Sequence, residues 1–180
     1  MNTNLPTSTD PSEQQRLNYM TAVNTLQRKV KTGANNFHWI AGLSVINTLI
    51  FIFGGGISFV VGLGITQLID GFAYGAAEYS PANAVLFQGI GFFLNLFIAG
   101  VFILFGVFAG KGKMWAFITG IVFYGLDALL VVVFQDYLGF IFHILFLVFL
   151  FGGVKALVQL KKVLPQTTSD VAFPKDIGTN

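Results

Sequence analysis

Residues 84–108 read AVLFQGIGFFLNLFIAGVFILFGVF. No Asp, Glu, Lys or Arg interrupts this run, which outlasts the ~18 apolar residues that mark a membrane-spanning helix. Ser80-Pro81 ahead of it is a favourable N-cap and first helical residue. Similar runs lie on both sides. Spans are predicted at Phe37–Val61, Ala84–Phe108, Met114–Phe134 and Leu138–Leu160, with all five prolines outside them. Gln135-Asp136-Tyr137 leaves room only for a tight hairpin, so the last two spans are antiparallel neighbours. The expected fold is an all-α integral membrane protein, a four-transmembrane-helix bundle.

Composition agrees. Of 180 residues, 54% are hydrophobic and only 10% charged, against about 25% charged in a soluble domain. That excludes a disordered chain, a basic nucleic-acid binder and an ordinary soluble enzyme. The chain has no cysteine. Disulfides, Cys-ligated zinc, iron–sulfur clusters, thiol catalysis, prenylation and palmitoylation are therefore excluded. Residues 1–33 hold no apolar signal-peptide core, so the first span is expected to act as an uncleaved anchor.

Three domains are expected: 1–33, a polar tail and amphipathic cytoplasmic helix; 34–162, the membrane domain; and 163–180, a mobile tail. Asp10, Pro11 and Glu13 form a helix start. Leu17, Met20, Val23, Leu26 and Val30 then make an apolar stripe, and Gly33 is the expected stop. From Phe37 to Ile69 the chain is a predominantly apolar run, interrupted by Gly54-Gly55-Gly56. One straight helix would be ~50 Å long against a ~30 Å hydrocarbon core. Residues 54–69 are therefore expected to be bent or re-entrant.

Charge sets the orientation. With four spans, every Lys and Arg falls on one side, while Asp70, Glu78 and Asp136 fall in loops on the other. The positive-inside rule places both termini in the cytoplasm of a cell-membrane protein. Trp39 and Trp115 belong to the inner boundary, and Tyr74, Tyr79 and Tyr137 to the outer.

Few residues inside the spans can do chemistry. Asp127 is the one intramembrane carboxylate, on a face with Gly120 and Tyr124. His143 shares a face with Gly139. An intramembrane ionisable group is a functional candidate by default. Both residues lie ~8–11 Å from the ends of adjacent helices, so contact between them is expected, with Gly120 and Gly139 easing the approach. Asn47 and Asn95 are placed near the midplane as an interhelical clasp. Asn95 belongs to a stripe of Gln88, Gly91, Asn95, Ala99, Phe102 and Gly106. His38 and His143 are expected ~15–20 Å apart along the axis, too far to share a haem iron. No metal or cofactor site is expected. A Ser58–His143–Asp127 triad can be drawn, but Ser58 lacks the G-x-S-x-G setting.

The expected function is that of a non-enzymatic accessory or scaffold component, embedded in the lipid bilayer. It would self-associate or bind another membrane protein, and bind no nucleic acid. The alternatives are a small transporter or channel with Asp127 and His143 as relay, and a membrane-embedded hydrolase.

Overall fold

The computed structural model describes residues 11–53 and 62–164. The segments 1–10 and 165–180, the Gly54–Gly56 string and Ser58 lie outside them. Five α-helices follow in order: α1 (Pro11–Ile52), α2 (Gly64–Tyr79), α3 (Ala84–Gly110), α4 (Met114–Val133) and α5 (Tyr137–Val163). A 3-10 turn at Pro81–Asn83 leads into α3. There is no strand among the described residues. Three of these segments, Pro81–Gly110, Met114–Val133 and Tyr137–Val163, are long and apolar enough to cross a membrane.

The first helix differs from expectation. α1 runs unbroken for 42 residues, about 63 Å, and passes through the expected stop at Gly33. A glycine ends a helix only where tertiary packing does not need it inside one. Here Gly33 touches Gly153 of α5, and a Cβ on Gly33 would overlap the Gly153 backbone. Close helix crossing offsets the ~1 kcal/mol propensity cost of each glycine. Beyond this crossing the stripe emerges: Val30 is buried, Val23 and Leu26 are half-buried, and Leu17 and Met20 are exposed.

α3 runs antiparallel to α1, with Gly106 against the His38 ring and Gly110 facing Ala34. Phe37 sits fully buried at the centre, its ring 6.1–6.3 Å from those of Phe102, Phe105 and Phe117. Gly120 on α4 makes room for that ring, since a Cβ there would lie 2.5 Å from Phe37. The role expected for Gly120, letting α4 approach α5, is therefore replaced by accepting Phe37 of α1. Gly139 instead packs on Asp136, whose carboxylate accepts its N–H at 2.8 Å and caps α5.

The C-terminal ends of α3 and α4 are closed by the same device. After α3, Lys113 N–H donates to Phe108 O and Gly112 N–H to Ala109 O, with Gly112 at φ 76°. After α4, Asp136 N–H donates to Val131 O and Gln135 N–H to Val132 O, with Gln135 at φ 60°. Both are Schellman motifs, and the second places a non-glycine residue in the left-handed region.

The chain leaves α1 at an exposed Phe53 and returns at Gly62 against the backbone of Ser44. Ser44 lies eight residues before Ile52, so the chain has come back about 12 Å along α1. From there α2 runs parallel to α1: Leu63 meets Ser44, Asp70 meets Thr48, and Tyr74 meets Phe51.

Candidate polar site in the bundle

The first turn of α2 is buried, and a buried helix start exposes backbone donors with no partner in their own helix. The neighbouring helices supply those partners. Ser44 Oγ on α1 accepts from Leu63 N–H at 2.8 Å. Asp127 on α4 accepts from Gly64 N–H at 2.7 Å through Oδ2, and from Ile65 N–H at 2.8 Å through Oδ1. A carboxylate at a helix N-terminus is also favoured by the helix dipole. Gly64 must lack a side chain, because a Cβ would lie 2.5 Å from Val131 Cγ2.

Asp127 and His143 come together as expected from their equal depth. His143 Nε2 lies 2.8 Å from Asp127 Oδ2, and His143 Nδ1 lies 2.7 Å from Gly139 O. Both side chains are buried. A carbonyl only accepts, so Nδ1 carries a hydrogen. One further proton lies between Nε2 and Oδ2. On nitrogen it makes an imidazolium–carboxylate pair, and on oxygen a neutral pair, with zero net charge in both. Tyr124 is buried and stacks on the imidazole at 4.6 Å and 17°.

Both ring nitrogens of His143 are thus engaged. None is left to take a proton from a nucleophile, so the triad has no general base. His38 is separate, its ring filling the space above Gly106. Gly33 and Gly153 touch; His38 is five residues after the first and His143 ten before the second. The two histidines are therefore offset by about 8 Å along the axis, less than the ~15–20 Å expected. Each is packed among its own neighbours, without a common centre for an iron. Among the described residues no group of three His, Asp or Glu could hold a metal ion.

A cavity of about 430 Å³ opens beside the pair, between the start of α2, α3 and α4. Its walls include Leu63, Ile98, Phe102, Phe105 and Leu126, and Asp127 is the one polar residue on it. With one polar residue on its walls it offers water few hydrogen-bonding partners.

A second polar cluster lies one turn nearer the Asp136 end. It was not legible in the sequence reading, which places Asp70 in a loop. The structure buries Asp70 at 6% exposure on α2. Thr48 Oγ1 donates to Asp70 Oδ2 at 2.9 Å, and Asn95 Nδ2 to Asp70 Oδ1 at 2.7 Å. Asn95 Nδ2 also reaches Thr48 Oγ1 at 2.9 Å and Thr66 O at 3.3 Å.

The expected Asn47–Asn95 clasp does not form. Asn47 is buried beside Thr48, but the Asn95 amide nitrogen turns to Thr48, Thr66 and Asp70, and Asn95 Oδ1 meets no partner. The expected order of depth is also reversed: Asn95, expected nearer the midplane than Asp127, lies nearer the Asp136 end than Asp127 does. Thr48 lies four residues beyond Ser44, so the Asn95 cluster is about 6 Å nearer the Asp136 end. Gln88 is exposed, two turns before Asn95 on α3 and so about 10 Å further out, on the rim of a small cavity that reaches Asp70. The signal that could have found this cluster is the spacing of Thr66, Asp70 and Ala77, all buried on α2, which share one helical face.

The chain matches no protein-family model, no curated protein and no solved structure.

Proposed function

We propose that the chain is a four-span, non-enzymatic protein of the cell membrane that serves as an accessory or scaffold subunit. It self-associates or binds another membrane protein. On this reading the C-terminal part of α1 is the first span, its N-terminal part is a cytoplasmic amphipathic helix, and α2 is a re-entrant helix stopping inside the bundle. Both termini lie in the cytoplasm with all ten basic residues of the chain. Non-helical backbone at membrane depth is tolerated where protein covers it, and the donors at Leu63, Gly64 and Ile65 are covered in this way.

The observation that carries the reading is where Asp127 directs its oxygens. Both go to the first turn of α2 and to His143, beside a cavity that is otherwise apolar. An intramembrane carboxylate is a candidate for transport, but this one holds helices together. The shared proton at His143 is what a relay would use, yet among the described residues no polar chain leads away from it through that cavity.

The test is chemical cross-linking in native membranes, then purification in mild detergent and mass measurement. A stoichiometric partner or a defined homo-oligomer supports the reading. Solute or proton flux in proteoliposomes that vanishes in Asp127→Asn would replace it with the transporter reading.

A further inference from the structure

We propose that Asp70, with Thr48, Asn95 and Gln88, forms a binding site for a monovalent alkali cation. The site stands apart from the accessory reading and does not depend on it.

The hydrogen-bond inventory around Asp70 does not balance. Asn95 offers two N–H donors and Thr48 one O–H, whereas an ionised carboxylate alone presents about four lone-pair positions. The surplus acceptors include Asn95 Oδ1, which is buried with its residue at 2% exposure and has no partner. Buried acceptors without donors are uncommon and call for water, an ion or a proton.

Charge is unbalanced as well. Among the described residues the only ion pair is His143–Asp127. No Lys or Arg occurs between Lys31 and Lys111 in the sequence. A buried carboxylate without a countercharge is costly. Water would supply hydrogens but leave the charge.

The oxygens converge. Asp70 Oδ1, Thr48 Oγ1 and Thr66 O surround a single point, now held by Asn95 Nδ2 at 2.7, 2.9 and 3.3 Å. The amide nitrogen therefore stands where electropositive character is wanted. Turning that amide over would bring Oδ1 against Asp70 Oδ1 and Thr48 Oγ1, a cluster of oxygens that a cation bound beside it in the adjoining cavity would hold together. A cavity of about 100 Å³ touches Asp70 and has Tyr74 and Gln88 on its walls. Both are exposed side chains, so the cavity is an entrance. It has room for water, or for an ion keeping part of its hydration.

The chemistry selects the class of ion. All candidate ligands are neutral or carboxylate oxygens, which suit hard cations. One carboxylate matches one positive charge. A divalent ion would leave net charge in a buried site, and calcium wants six to eight oxygens with more anionic ligands.

The test is thermal unfolding of the whole protein in detergent, with sodium chloride titrated against choline chloride at fixed ionic strength. Sodium should raise Tm in a saturating manner, by roughly 3–6 °C, and choline should not. Asp70→Asn should abolish the response. Gln88→Leu, at an exposed position, should keep the fold and weaken apparent sodium affinity roughly three- to tenfold; it serves if Asp70→Asn does not fold. Potassium acting like sodium supports the same class of site. Equal effects of sodium and choline overturn the proposal. So does a stability that responds to acid but to sodium at no pH, or a sodium response left unchanged in both variants.

Discussion

Asp127 Oδ2 lies 2.7 Å from the backbone nitrogen of Gly64, so a side chain of α4 caps a helix that begins inside the bundle. The same oxygen lies 2.8 Å from His143 Nε2. One carboxylate therefore joins α2, α4 and α5.

This sharing predicts energetic coupling. Removing one partner leaves the other unpaired in a buried site, which costs more than removing both. A double-mutant cycle of Asp127→Asn and His143→Gln should give a coupling of about 0.5–2 kcal/mol in detergent unfolding. Additive effects would mean that the 2.8 Å contact carries no stability.

Ser44 makes the third cap of the same helix start, through Leu63 N–H at 2.8 Å. Ser44→Ala should destabilise by about 1 kcal/mol, the usual loss for an N-cap oxygen. Hydrogen exchange at Leu63 should accelerate while exchange in α5 stays unchanged. Protection at Leu63 equal to wild type would show that Ser44 is dispensable.

Glycines on α1 should divide sharply. Gly33→Ala places a methyl into the Gly153 backbone and should destabilise by about 1–3 kcal/mol. Gly42→Ala meets nothing within 4 Å and should be neutral, or stabilising by up to ~1 kcal/mol. Thermal unfolding of the two variants side by side checks this, and a silent Gly33→Ala would contradict the crossing.

Gln135 sits at φ 60° in the Schellman turn that closes α4. L-residues other than glycine are disfavoured there by roughly 1–2 kcal/mol. Gln135→Gly should raise stability by up to about 1 kcal/mol, because glycine also loses more chain entropy on folding. A lower midpoint in the variant would mean that the Gln135 side chain is needed.

Topology is checked by single-cysteine labelling, which the cysteine-free chain permits. An impermeant thiol reagent should label Glu78→Cys and Asp136→Cys in intact cells and spare Lys111→Cys. Labelling at position 111 would end the four-span reading.

The all-helical class and three long apolar helices were legible in the residues alone, because these depend on local hydropathy and helix propensity. So was the equal depth of Asp127 and His143, since a three-residue turn sets the register of two antiparallel helices. Packing between helices settled what local signals leave open. Gly33 reads as a helix stop until Gly153 is found against it. Asp70 reads as a loop residue until α2 folds back along α1 and brings it to Thr48 and Asn95. Asn95 reads as the partner of Asn47 until Thr66 and Asp70 arrive closer. In each case the deciding partner lies on another helix, and the relative rotation and offset of helices follow from packing across the bundle, to which local propensity is blind.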